Sequence, residues 1–99
     1  MSLGFLHKTF ELGAIPVQCE DIEVNKIPCC WLLNKAGDEK RVKLNDSSMM
    51  IWQLCEGKYS VGELIDALQA QYPDAKGMDK DIQRALDELL SEALITMRS

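Results

Sequence analysis

The sequence predicts an α+β fold in which a three-stranded antiparallel sheet is followed by three helices, in the winged-helix-like order βββααα. Two observations lead to this prediction. Apolar residues alternate with polar residues between residues 20 and 44, and after Leu44 their spacing changes to the period of a helix. The 99 residues, of which 46% are apolar, suffice for one core. We therefore expect an N-terminal arm over residues 1–16 and one domain over residues 17–99.

The N-terminal arm has no regular pattern. Its apolar side chains fit neither the alternation of a strand nor the period of a helix, and the segment ends at Pro16. We expect it to lie on the domain or on a second copy of the chain. The second arrangement would make the protein a homodimer.

The first two strands are predicted from apolar spacing. Ile22 and Val24 alternate with polar residues, as is typical of a half-buried strand. The apolar run over residues 29–33 predicts the most buried strand. In an extended strand, adjacent Cys29 and Cys30 would point to opposite faces, so we do not expect the two thiols to bind one metal ion together.

The third strand follows a polar turn over residues 34–39. Val42 and Leu44 are expected to point inward, and Arg41 and Lys43 outward. The three strands would then form a meander, and the third strand would lie at an edge of the sheet.

Helix signals begin directly after the sheet. Asn45 or Asp46 can cap the first helix, because their side chains accept hydrogen bonds from backbone N–H groups of the first turn. Ser60 and Glu63 have the spacing of a capping box for the second helix. Pro73 is expected to end that helix, because the residue before a proline avoids the helical conformation.

The third helix has the most regular apolar face, and Asp79 is expected to cap it. The residues of that face are Ile82, Ala85, Leu86, Leu89, Leu90 and Ala93. Between residues 79 and 92 there are five acidic and two basic residues, a net charge of −3. This helix would therefore repel an anionic partner.

The charge of the whole chain argues against nucleic acid and membrane partners. Residues 1–45 are neutral and residues 46–99 carry the entire net charge of −5, whereas phosphate groups are bound by Lys and Arg. We expect neither partner. A winged-helix transcriptional regulator is retained as an alternative function, because that fold often binds DNA.

The sequence offers little for catalysis or secretion. His7 is the single histidine and lies in the arm, so we expect no enzyme activity, no catalytic residues, no metal site and no cofactor. No signal peptide precedes the four cysteines, and no apolar stretch has the length of a membrane span. We expect a cytoplasmic protein with reduced thiols.

A carrier protein is the second alternative. Asp46-Ser47-Ser48-Met49 resembles the Asp-Ser-Leu box in which carrier proteins attach a phosphopantetheine arm, and Ser47 would hold that arm. Asp and Ser are also ordinary capping residues at a helix start. Carrier proteins are helical bundles, whereas residues 20–44 predict strands.

Motifs spread over residues 20–95 resemble the PqqD family, the relatives of pyrroloquinoline quinone biosynthesis protein D. The matching segments are Trp31-Leu32-Leu33, Val42-Lys43-Leu44-Asn45, Leu54-Cys55-Glu56-Gly57 and Tyr59-Ser60-Val61-Gly62-Glu63-Leu64-Ile65. The family usually has Leu-Asn before the first helix and Asp-Gly after it. This chain keeps Leu44-Asn45 and has Glu56-Gly57 at the second position.

The resemblance implies a non-catalytic peptide chaperone, a recognition element for ribosomally synthesised and modified peptides (a RiPP recognition element). Such domains bind the leader segment of a precursor peptide and present it to a modifying enzyme, frequently a radical SAM protein, in peptide natural product or cofactor biosynthesis. In the family the leader extends the sheet in the cleft between the third strand and the third helix.

On this chain, the resemblance places the peptide-binding residues on that strand and that helix. They are Lys40, Arg41, Val42, Lys43, Leu44, Asp81, Arg84, Ala85, Glu88 and Leu89. An edge strand has unpaired backbone N–H and C=O groups, so it can accept an added strand. The apolar arm could occupy the same cleft.

Structural explanations for the same residues stay open. Ala85 and Leu89 fit an ordinary core, and Arg84 with Glu88 fits a solvent-exposed pair on the helix surface. The charges of Lys40, Arg41 and Lys43 could instead protect the sheet edge against aggregation.

Overall fold

The structure is a computed structural model and describes residues 12–98. Its elements in chain order are β1 (Ile15–Gln18), β2 (Ile22–Ile27), β3 (Cys30–Lys35), β4 (Val42–Leu44), α1 (Asp46–Leu54), α2 (Val61–Gln71), α3 (Met78–Ser91) and β5 (Ile95–Arg98). The predicted α+β fold is confirmed: β2, β3 and β4 form the meander, and α1, α2 and α3 follow it. Strands β1 and β5 are additional.

The meander has β3 at its centre, with β2 and β4 antiparallel on either side. Leu33 on β3 has no exposed surface, in agreement with the prediction that this strand is the most buried. Val24 lies opposite Leu33 on the neighbouring strand but is 40% exposed, because β2 is at the edge of the sheet. Leu44 is buried and Lys43 is exposed, as predicted.

A second, two-stranded sheet pairs β1 with β5 in antiparallel register, with Ile15 opposite Arg98. Most of the predicted arm, residues 1–11, lies outside the described residues, and so does His7. The end of the arm joins the domain: the carbonyl groups of Leu12 and Ala14 accept hydrogen bonds from the first two N–H groups of α2, at 3.0 and 2.8 Å. Residues 12–16 are therefore part of the fold.

The predicted caps of the first two helices are present. The Asn45 side chain accepts a hydrogen bond at 2.8 Å from a backbone N–H of the first turn of α1. Ser60 and Glu63 form both hydrogen bonds of a capping box at the start of α2. Helix α2 ends at Gln71, two residues before Pro73.

The start of α3 differs from the prediction. Gly77 is the N-cap residue, with a φ of 72° and no side-chain hydrogen bond, so the expectation that Asp79 caps the helix is wrong. The left-handed conformation of Gly77 lets the helix begin at Met78. Asp79 therefore lies inside the first turn, where its negative charge still favours the positive end of the helix dipole.

The end of α3 also differs. The helix stops at Ser91, and Ala93 is exposed with a φ of 60°, so the expectation that Ala93 continues the apolar face is wrong. The turn at Ala93 brings Leu94 and Ile95 into the core, each 1% exposed.

The core lies between the meander, the three helices and β5. The inner face of α3 is its largest contribution, with Ile82, Ala85, Leu86 and Leu89. Burial by the surrounding side chains raises the pKa of the Cys55 thiol to about 12. Within residues 12–98, no helix has the length and apolar character needed to cross a membrane.

We expect Leu86→Ala to lower the free energy of unfolding by about 2–5 kcal/mol, because Leu86 has no exposed surface and its removal leaves a cavity. Chemical denaturation followed by circular dichroism measures this loss. Leu90→Ala is the matched control, since Leu90 is only half-buried one turn later on the same helix. Equal losses in the two variants would contradict this description of the core.

Candidate functional site

An open groove of about 630 Å³ lies between α1 and α3, with the end of α2 at its base. This volume is in the range of about 300–1,000 Å³ that is usual for ligand-binding sites. Its apolar lining consists of Met50, Ile51, Leu68, Tyr72, Ala75, Met78, Ile82 and Ala85. Ala85 has the smallest side chain that α3 contributes, so space is left open at that position.

Polar side chains line the two rims of the groove. The rim on α1 contains Asn45, Ser47 and Ser48, and the rim on α3 contains Asp81, Arg84 and Glu88. Arg84 Nη1 lies 3.9 Å from Asp81 Oδ1, and both side chains are largely exposed. The sequence suggested a pair of Arg84 with Glu88; the structure instead pairs Arg84 with Asp81 and leaves the Glu88 carboxylate exposed on the rim.

The edge of the meander approaches α3 at the Lys40 end, through one ion pair. Strand β4 has β3 on one side, and within residues 12–98 no strand pairs with its other edge. Lys40, before the strand, contacts Glu92 at the end of α3, and Asn45, after the strand, lines the groove. The two ends of the segment from Lys40 to Asn45 are therefore linked to the end of α3 and to the groove, respectively.

The strand segment and the α3 rim of the groove differ in charge. Lys40, Arg41 and Lys43 are exposed on the strand side. The helix side has Asp81 and Glu88 on its rim, with Arg84 as the basic residue between them. A bound segment would therefore meet a basic strand and a mainly acidic helix.

One ion pair joins the two sides. Lys40 Nζ lies 2.9 Å from Glu92 Oε1, and the lysine side chain is 70% exposed. The hydrogen bond and the charge of Glu92 raise the pKa of Lys40 above its ordinary value of 10.5. Because the folded-state pKa is raised, the pair stabilises the fold below pH 10.5, and this contribution is lost as the pH rises through the raised pKa.

A tryptophan connects the meander to α1. Trp31 on β3 pairs with Leu44 in the sheet, and its Nε1 donates a hydrogen bond at 3.0 Å to Asp46 Oδ1 in the first turn of α1. The Lys26 ammonium lies 5.2 Å from the centre of the Trp31 ring. The start of α1, which forms one rim of the groove, is therefore held to the central strand.

The structure separates the predicted site residues into three groups. Asp81, Arg84, Ala85 and Glu88 line the groove. Lys40, Arg41, Val42 and Lys43 lie along or just before the free strand edge, outside the lining of the groove. Leu44 and Leu89 belong to the core, with 2% and 1% exposure.

The apolar groove residues outside α3, together with Met78 at its start, could not be assigned to the site from the sequence. Met50, Tyr72 and Met78 are among these residues. These residues line the groove only because three helices pack together, and that packing is not visible in a local sequence pattern. The one local signal is Tyr72, a large apolar side chain that is 47% exposed in the structure. Within residues 12–98, no three His, Cys, Asp or Glu side chains are grouped closely enough to hold a metal ion.

Residues 30–95 match the family model described as Coenzyme PQQ synthesis protein D (PqqD). The match begins at the first residue of β3 and ends at the first residue of β5, so it contains β4, the three helices and the whole groove. No solved structure gives a significant match to the chain.

Curated relatives match about three fifths of the chain. The protein from Acinetobacter baylyi named PqqA binding protein is 38% identical over 60 residues, which cover 61% of this chain and 61% of that protein. Proteins with the same name from Rahnella aquatilis and Pseudomonas entomophila are 33% and 37% identical, over 61% and 60% of this chain and 63% and 65% of their own lengths. The chain thus spans somewhat less than two thirds of these relatives.

We expect Glu92→Gln to return the pKa of Lys40 toward 10.5, because the bond and the negative charge that raise it are removed. NMR titration of the lysine side chain measures this change. Glu88→Gln is the matched control: it removes the same charge one turn earlier on the helix, away from Lys40. An unchanged Lys40 titration in Glu92→Gln would contradict the ion pair.

Proposed function

The chain belongs to the PqqD family, and from this membership we propose that it binds the leader segment of a ribosomally made precursor peptide and presents the peptide to a modifying enzyme. The role is one of binding, without catalysis by this chain. The observation that supports it best is the outer edge of β4, which is unpaired within residues 12–98 and leads directly into Asn45 on the rim of the apolar groove.

The edge of β4 supports binding by strand addition. Its outer backbone N–H and C=O groups can bond an extended peptide, which would become a further strand of the meander. With three residues at about 3.3 Å each, β4 offers an edge about 10 Å long. Such bonds provide affinity with little dependence on sequence, so selectivity has to come from side chains.

The groove supports that selectivity. Alternate side chains of an added strand point to one face, so a leader strand on β4 would direct every second side chain toward the helices. We propose that one large apolar leader side chain enters the groove over Ala85, against Met50 and Met78. Tyr72, which is 47% exposed at the base, would cover part of that side chain.

The charged residues of the rim would select leader sequences by their charge. We propose that Arg84 bonds a leader carboxylate, while Asp81 and Glu88 favour a basic leader residue beside the apolar one. On the other side, Arg41 and Lys43 favour acidic residues near the added strand. A leader with separated acidic and basic residues around an apolar one would fit both sides.

The partners and location follow from the same role. The family implies a peptide-modifying enzyme, frequently a radical SAM protein, as the recipient of the bound precursor. A ribosomal precursor is made in the cytoplasm, so we propose that the chain acts there. The arm over residues 1–11 is proposed either to occupy the cleft or to bind a second copy of the chain.

The test is a titration with the leader of a short precursor encoded beside the gene for this chain. Backbone amide shifts in a ¹⁵N-labelled sample should change along β4 and along α3 from Asp81 to Glu88. Binding with shifts confined to the opposite side of the domain, such as β1 and β5, would contradict the proposed site. Absence of binding by every neighbouring short precursor would contradict the function.

We expect Arg84→Glu to weaken leader binding about tenfold, because a charge-assisted contact worth about 1–2 kcal/mol is lost. Isothermal titration calorimetry measures the dissociation constant. Lys58→Glu is the matched control: it makes the same change of charge in the connection between α1 and α2, outside the groove. Wild-type affinity in Arg84→Glu would remove Arg84 from the site.

We expect deletion of residues 2–11 to tighten leader binding if the arm occupies the cleft, or to lower the molecular mass in solution if the arm joins two copies. The deletion stops before Leu12 because the Leu12 and Ala14 carbonyl groups bond the start of α2. Calorimetry and light scattering measure the two effects. An unchanged dissociation constant together with an unchanged mass would exclude both roles of the arm.

A further inference from the structure

Two thiols meet at the turn between β2 and β3. Cys29 Sγ lies 3.5 Å from Cys30 Sγ. The expectation that these side chains point to opposite faces is wrong, because Cys29 belongs to the two-residue turn and only Cys30 is in the strand. The alternation of an extended strand therefore does not apply between them.

The two thiols differ in exposure. Cys29 is exposed, whereas Cys30 is 4% exposed. Burial raises the pKa of Cys30, and the neighbouring Cys29 raises it further, while Lys43 and Lys26 act in the opposite direction. Cys29 is therefore the sulfur that a reagent in solution reaches first, and Cys30 is the protonated neighbour behind it.

The remaining cysteines have other surroundings. Cys55 has no exposed surface, and its thiol stays protonated because burial raises its pKa to about 12. Cys19 is half-buried. In the part of the chain that the structure describes, the Cys29–Cys30 contact is the one hydrogen bond between two thiols.

We propose that Cys29 and Cys30 form a redox site that closes reversibly to a disulfide by exchange with a low-molecular-weight disulfide. The Cys29 thiolate attacks one sulfur of the small disulfide, forms a mixed disulfide and releases one thiolate. Cys30 then gives up its proton and attacks Cys29 Sγ, which releases the second thiolate. Two thiols are oxidised by two electrons, and the small disulfide is reduced to two thiols that take up the two protons.

The adjacency of the two residues makes the disulfide easy to open. Consecutive Cα atoms are about 3.8 Å apart, whereas disulfides usually join Cα atoms about 4.4–6.8 Å apart. A bond formed outside that range is strained, and strained disulfides are reduced readily. The closed form is therefore suited to a reversible signal rather than to permanent stabilisation.

The redox site lies next to the peptide site. Cys30 precedes Trp31, which pairs with Leu44 at the end of β4 and donates a hydrogen bond to Asp46, between the rim residues Asn45 and Ser47. Closing the ring changes the backbone at Cys30, so we expect Trp31 to shift and leader binding to weaken severalfold. This consequence rests on the proposed function, whereas the formation of the disulfide does not.

The experiment treats the fully reduced chain with oxidised glutathione and removes the excess reagent. We expect a monomer whose intact mass is lower by two hydrogen atoms, with Cys29 and Cys30 joined in the peptide map, and full recovery of both thiols with dithiothreitol. Cys19→Ser should close in the same way. Cys29→Ser, a change at an exposed residue, should not close.

Two results would overturn the redox site: a glutathione adduct on Cys29 that never loses its glutathione, or a disulfide that links two chains. Loss of the same two hydrogen atoms in Cys29→Ser would do so as well, since another pair would then be responsible. The leader is titrated separately into the reduced and the closed forms. Equal affinities would overturn the coupling to the groove, and the mass measurement would still decide the disulfide.

Discussion

The burial of one face of α3 is the interaction on which the other features depend. Ile82, Leu86 and Leu89 fill the space between α1, α2 and β5, and each is almost completely buried. This fixes the rotation of the helix about its own axis. The flank with Asp81, Arg84 and Glu88 is consequently left facing the groove, so one helix supplies both the centre of the core and one wall of the proposed binding site.

Features encoded by neighbouring residues could be predicted from the sequence, and features that depend on distant contacts could not. The Ser60–Glu63 capping box and the alternation around Val42 are local, and the structure contains both. Strand β1 was missed because its partner β5 follows about 80 residues later, so no nearby pattern marks it. The α3 side of the groove was predicted from the sequence. The opposite side was not, because Met50 and Tyr72 reach the groove through the packing of α1 and α2.

The comparison with known proteins and the geometry identify the same part of the chain. The family match runs from β3 to the start of β5, and it contains the free edge of β4 and every residue that lines the groove. The match begins at Cys30, so it contains one member of the Cys29–Cys30 pair and not the other. The proposed peptide-binding surface therefore lies within the region that matches the family, while the exposed Cys29 lies just outside that region.

The pairing of β1 with β5 has a geometric consequence for anything attached to the domain. Ile15 lies directly opposite Arg98, so the start of β1 and the end of β5 lie side by side. Segments that continue the polypeptide ahead of β1 and behind β5 therefore depart from the same end of this two-stranded sheet.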